Sequence, residues 1–142
     1  MKLVAKTIKD IKTMVEQAAI HSVHKSSSNV KKIMVKTGQE HIDEDVYGAY
    51  DPLLYERTGQ VKDAFITTNE SNGVSLDNIR EDDGKDVATV IETGQGYTYP
   101  DSYEYGYGKP RPFMKNTAET LKDGRLTEAL ISDLKADGIK TY

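Results

Sequence analysis

The chain has 142 residues, no cysteine, an apolar fraction of 37%, 30% charged residues and a net charge of −4, with a pI near 5.4. That length makes one domain over 1–142, able to bury roughly 68–70% of its unfolded surface around a thin core. The missing cysteines exclude a disulfide frame, a thiolate zinc site and a cysteine nucleophile, and the acidic balance argues against holding duplex DNA by neutralising phosphates.

The opening "MKLVAKTIKDIK" alternates cations with single apolar residues and lacks the continuous apolar run of a signal peptide or membrane span. The expectation is a protein made and folded in a cytoplasm, with no membrane partner. Leu3, Val4, Ile8, Ile11, Val15, Ala18 and Ala19 recur at helical spacing, which predicts an amphipathic helix from 3 to about 24. "KSSSN" at 25–29 offers hydroxyls to cap a new start, and Val30, Ile33 and Met34 restart a helical face that fades around Gly38. One long helix with a weak middle and two separate helices are both compatible with this pattern.

Tyr47, Tyr50 and Tyr55 then cluster around Gly48 and Pro52, and the proline pushes Asp51 out of the helical region, so a turn is expected. Three runs with strand character follow, Val61–Thr68, Val74–Arg80 and Asp86–Glu92, separated by Asn72–Gly73 and Asp83–Gly84. Those pairs take the positive φ angles of tight hairpin turns. In the third run Val87, Thr89 and Ile91 alternate with Ala88 and Val90, so both faces are apolar and it reads as a central strand. The sequence therefore predicts a three-stranded or larger antiparallel meander. A long Tyr/Pro/Gly loop comes next, then a helix from about Phe113 with Leu126, Ala129, Leu130 and Leu134 as its stripe and Gly138 as its stop. The fold class is α+β.

Catalytic patterns are scarce. His21 and His24 stand three apart, a spacing that could present two metal ligands, but "HSVH" lacks the glutamate of a metallopeptidase helix. Two polar positions near a helix end explain them as well, and no spacing links His41 to either. The acidic clusters Asp43–Asp45 and Glu81–Asp83 could supply paired carboxylates, yet adjacent carboxylates on turns ordinarily stay solvated. "GQGYTY" and "YGYGK" match neither phosphate-loop spacing, and no serine sits in G-x-S-x-G. The expectation is a protein that is not an enzyme and has no cofactor and no bound metal. The contrasting class is a small metal-dependent hydrolase using His21, His24 and an acidic cluster.

"YPDSYEYGYGKPRPFM" at 99–114 is the segment that asks for an explanation. Tyrosine offers large rigid contact area with a hydrogen-bonding tip and is enriched where proteins touch proteins. Pro100, Pro110 and Pro112 stiffen this stretch while Gly106 and Gly108 let it bend. Covering a thin core and gripping a partner are both open to such a segment. Stacking on bases would need more cations than Lys109 and Arg111.

Two stretches carry a family likeness. "VYGAYDPLLYERTGQVKDAF" (46–65) resembles the tyrosine-rich Y-x-x-Y-x-P-x-x-Y-x-R-T segment of tailed-phage and prophage neck proteins, the head–tail joining or tail-completion family. "GKPRPFMKNTAETL" (108–121) is similar to the P-x-R-P-F-hydrophobic lead-in to that family's last helix. The resemblance implies a structural virion protein at the head–tail interface, assembled in the host cytoplasm. It would be a homo-oligomeric ring, often six-fold, between the connector or head-closure side and the tail-tube or terminator side, with DNA passing unbound through the lumen. By position, Tyr47, Tyr50, Tyr55 and Arg57 would set the turn that launches the sheet. Tyr103, Tyr105, Tyr107, Lys109 and Arg111 would sit on the loop that reaches a neighbour. A head-closure or tail-terminator role in the same neck is the nearest variant, and a free-standing module that recognises a host protein is a third class.

Overall fold

The structure, a computed structural model, describes residues 7–49, 60–82, 84–95 and 110–139. The N-terminal half makes two helices, α1 over Ile8–His24 and α2 over Asn29–His41. A capping box starts α1: the Thr7 hydroxyl accepts from the Asp10 amide and the Asp10 carboxylate accepts from the Thr7 amide. Ser28 caps α2, as the serine run implied, so the choice between one helix and two resolves to two. The face predicted to fade at Gly38 instead continues to His41 and on into a π-helical turn, Ile42–Val46, and a 3₁₀ turn, Tyr47–Ala49.

Strands β1 (Phe65–Glu70) and β2 (Gly73–Asn78) pair antiparallel from Phe65↔Asn78 to Glu70↔Gly73. The turn residues are thus Ser71 and Asn72, one step earlier than the Asn-Gly pair suggested. β3 (Glu81–Asp82) and β4 (Lys85–Asp86) form a separate two-stranded ribbon across Gly84, whose φ of 76° only glycine tolerates well. The expected third strand of the meander is helix α3, Val87–Thr93. Local capping defeats the β-branched composition here. The Asp86 carboxylate accepts from the Thr89 amide at 3.1 Å and its hydroxyl at 2.8 Å, and Gly94 ends the helix at φ 71°. Those bonds, the Thr89 amide first, hold the Asp86 carboxyl below the usual aspartate range. Ala88 and Ile91, three apart, turn inward on the helical period.

The C-terminal helix also divides, into α4 (Phe113–Thr120) and α5 (Arg125–Ala136), because Gly124 turns the chain at φ 108°. Gly138, at φ 80°, marks the predicted stop.

Helix α2 lies between two apolar clusters. One gathers Ile42, Val46, Phe65, Ala88, Ile91 and Phe113; the other gathers Val23, Val30, Met34 and Leu121, and Leu76 packs against both. Phe113 is wholly buried and meets Phe65 edge-on, ring centroids 6.2 Å apart. Phe65 in turn lies on Gly38: a Cβ there would stand 2.7 Å from Phe65 Cε1.

Two helix starts are capped from elsewhere in the fold. Buried Asp133 of α5 accepts from Ser28 Oγ at 2.8 Å and from the amides of Asn29 and Val30 at 2.6 and 3.1 Å. Glu92 of α3 accepts from the amides of Met114 and Lys115 at 2.8 and 3.1 Å, where α4 has no cap of its own. At the far end of α5, Asp137 binds Lys25 and the Ser22 hydroxyl, which together hold its carboxyl below the normal range.

Asp133→Ala strands three donors, two of them backbone amides, and is expected to lower unfolding stability by about 2–4 kcal/mol in urea titration. A loss below about 1 kcal/mol would mean that water replaces the carboxylate. Gly38→Ala is expected to destabilise as well, by about 1–2 kcal/mol, although alanine favours the isolated helix, because the Phe65 ring has Phe113 behind it. A rise in thermal midpoint would show that Phe65 swings aside.

Candidate functional site

Of the residues expected to contact partners, Tyr47 and Arg111 lie among the described residues. Tyr50, Tyr55, Arg57, Tyr103, Tyr105, Tyr107 and Lys109 lie outside them, as does the turn expected at Asp51–Pro52. Tyr47 is half-buried, its ring packed on the cluster that contains Val46 and Phe113. Arg111 is buried, so its guanidinium points into the chain rather than out from a loop. Its Nη1 approaches the Val46 carbonyl at 3.5 Å and its amide donates to the Ile91 carbonyl at 3.0 Å.

These contacts bring the ends of the two tyrosine-rich stretches together. The first stretch, 50–59, leaves just after Val46 and Tyr47 and returns at Gln60 and Val61. The second, 96–109, leaves after α3 and returns at Pro110 and Arg111. Val46, Tyr47, Val61, Ile91 and Phe113 all belong to one cluster. The bond from Arg111 N to Ile91 O closes the root of the second stretch, and the approach of Arg111 to Val46 O ties it to the root of the first. The return of the first is fastened twice more, by Asn78 Nδ2 to the Val61 carbonyl at 2.7 Å and by Gln39 Nε2 to the Lys62 carbonyl at 3.2 Å. Lys62 also pairs with Asp43 at 2.7 Å, and that bond raises the lysine pKa. Tyr50 and Tyr55 stand in the first stretch and Tyr97, Tyr99, Tyr103, Tyr105 and Tyr107 in the second, which is seven of the nine tyrosines on one shared root.

The histidines are placed differently from the hydrolase pattern. His21 is exposed, whereas His24 Nε2 meets the Gly73 carbonyl at 2.8 Å at the hairpin tip, so the two serve no common point. Among the described residues, His41, Glu44 and Asp45 form a group able to hold a metal ion. Two of its members, His41 and Asp45, are already engaged. His41 Nδ1 donates to Asp45 at 2.8 Å, a carboxylate being able only to accept. Nε2 meets Thr120 Oγ1 at 2.7 Å, and Asp45 also accepts from Asn116 Nδ2 at 3.0 Å. The group clasps the π turn to α4. That junction was not visible in the sequence, since His41 and Asn116 are far apart along the chain.

No described helix is long and apolar enough to cross a membrane.

Comparison with known proteins places the chain in a family. A family described as YomN matches residues 7–136, and the chain belongs to it. A curated relative, the SPbeta prophage-derived uncharacterized protein YomN of Bacillus subtilis (strain 168), is 90% identical over 137 residues, covering 96% of this chain and 99% of the relative. The association with bacteriophage that the tyrosine motifs implied is therefore sound. No solved structure matches the chain.

The shared root makes Arg111 a structural residue. Arg111→Ala is expected to lower the thermal midpoint, by about 2–4 kcal/mol in unfolding free energy, since it empties a buried site and removes bonds to the Val46 region. An unchanged midpoint would show that the two roots are independent.

Proposed function

We propose that this member of the YomN family is a structural protein of the phage particle, working in the neck where head and tail join, as a homo-oligomeric ring. A head-closure or tail-terminator position in the same neck belongs to this reading. One observation carries it: the described flanks of both tyrosine-rich stretches that resemble head–tail joining proteins meet at Val46, Ile91 and Arg111, so the chain enters and leaves the two stretches, which hold seven tyrosines in sequence, at one place in the fold. A prophage-derived relative at 90% identity supplies the phage setting. Tyrosine-rich segments fixed at both ends suit protein–protein contact, because rigid rings lose little conformational entropy on docking. The charge of −4 suits a lumen along which DNA slides without being gripped.

On this reading the protein is a component of finished virions and works without substrate or cofactor. The partners are the connector or head-closure protein on one side and the tail-tube or terminator protein on the other. Tyr103, Tyr105, Tyr107 and Lys109 make those contacts together with Tyr50, Tyr55 and Arg57, while Tyr47 and Arg111 hold the root.

The test is a prophage carrying Tyr105→Ala with Tyr107→Ala, induced and examined by electron microscopy. The purified variant is expected to keep the wild-type circular dichroism spectrum while lysates accumulate separate heads and tails. Normal virions in wild-type yield would sink the proposal, as would absence of the wild-type protein from purified particles by mass spectrometry.

A further inference from the structure

Two apolar surfaces are exposed among the described residues. The first is the N-terminal half of α1. Ile8, Ile11 and Val15 follow helical spacing and are 87%, 54% and 63% exposed. The same face continues to Ser22, which is buried together with the adjacent Val23 where the helix meets α5 and the hairpin. The helix is thus seated at its C-terminal end and carries a bare apolar ridge at its start. Lys12 borders that ridge on one side and reaches Glu16 at 4.0 Å, and Lys9 stands further round the same side of the helix.

The second surface is a shallow groove of about 450 Å³ beside the first residues of β1 and the end of β2, lined by Asp63, Ala64, Ile66, Ile79, Arg80 and Glu81. Ile66 and Ile79 are 39% and 54% exposed at its floor, where the Ile79 amide donates to the Ala64 carbonyl at 3.0 Å. Asp63 and Glu81 are exposed at its margin. The groove opens at the end of the hairpin opposite the Gly73 tip that holds His24, the foot of α1.

We propose that copies of this chain join head to tail, the α1 ridge of one copy lying in the hairpin groove of the next. The ridge is convex and apolar with Lys12 at its border; the groove is shallow, with apolar side chains at its centre and the carboxylates of Asp63 and Glu81 beside Arg80 at its margin. Glu16, beside Lys12 at the border, has a cation to meet in Arg80. A surface that differs from the one it binds makes a heterologous contact, and repeated rotation of such a contact closes a ring. Ridge-on-ridge pairing would instead bring Lys12 of one copy near Lys12 of the other and yield a closed dimer that leaves the groove empty. The inference deepens the ring reading above and rests on it. It names the residues that join subunit to subunit, separate from the tyrosines that face other virion proteins.

The absence of native cysteine makes the test direct. The full chain is prepared as Ile11→Cys, as Ile79→Cys and as the double variant, each exposed position leaving the fold intact by circular dichroism. Under mild oxidation the double variant is expected to give a ladder of covalent oligomers ending at one closed size. Each single variant alone stays monomeric, and an equal mixture of the two singles gives a single dimer band. Reversing Lys9→Glu with Lys12→Glu in the double variant is expected to abolish the ladder, and adding Asp63→Lys with Glu81→Lys to restore it. An Ile131→Cys/Ile79→Cys pair should give no ladder, since Ile131 is a partly exposed residue of α5 that is not part of the ridge. A double variant that remains monomeric overturns the proposal, and so does crosslinking of Ile11→Cys alone to the level of the mixture. Because the readout is subunit contact in purified protein, its failure is distinct from failure of the neck reading, which is judged on particles.

Discussion

The fold turns on the edge-on contact of Phe113 with Phe65 and on the glycine that makes room beneath it. Phe65 begins β1, Gly38 lies inside α2 and Phe113 begins α4, so one stack of ring, ring and bare backbone fixes hairpin, central helix and C-terminal helices together. Ile42, Val46, Ala88 and Ile91 complete the cluster around it. Because Phe113 directly follows Pro110, Arg111 and Pro112, burial of its ring dictates where the chain arrives from the second tyrosine stretch. The point at which the chain re-enters the fold after residue 109 therefore follows from a packing constraint of the core.

Polar bonds carry much of what a thin core leaves undone. Asp133 and Glu92 each bring a carboxylate to the bare amides of another helix, where the helix dipole favours negative charge. Both bonds join segments remote in sequence, so they specify the packing of one helix on another as well as stabilising a helix end. His41 does comparable work between the π turn and α4. A chain with 30% charged residues thus keeps a defined tertiary arrangement by directing some of that charge to helix ends.

Local signals in the sequence were legible where they acted alone. The serine cap of α2, the positive-φ glycines at 84 and 138, and the hairpin around Asn72 followed from short patterns. The third strand is a helix because Asp86 and Gly94, which bracket seven residues, outweigh the β propensity of Val87, Val90 and Ile91. The leucine period alone implies a single C-terminal helix, and Gly124, at positive φ, divides it. Asp133 left a readable trace: it falls on the apolar face with Leu126, Ala129, Leu130 and Leu134, and a carboxylate in such a stripe asks for buried donors. What it binds was not readable, since Ser28 and Asn29 lie more than a hundred residues away. Arg111 shows the same limit, because its place in a loop motif suggested a reaching cation while the fold turns it inward.

This distribution of chemistry bears on function. Among the described residues, the carboxylates and imidazole with the most restricted surroundings, Asp133, Glu92, Asp45 and His41, each hold one helix or turn against another. The exposed surfaces among the described residues are of a different kind: an apolar ridge on α1 and, at the hairpin, a shallow groove floored by apolar side chains with charges at its margin. Rings, ridges and grooves bind other polypeptides by area and shape, and a molecule with two unlike surfaces has the minimum equipment for cyclic assembly. A ring built in that way would repeat every exposed surface of the subunit around its circumference. Each single contact could then be weak, and the grip on an adjoining ring would come from their number.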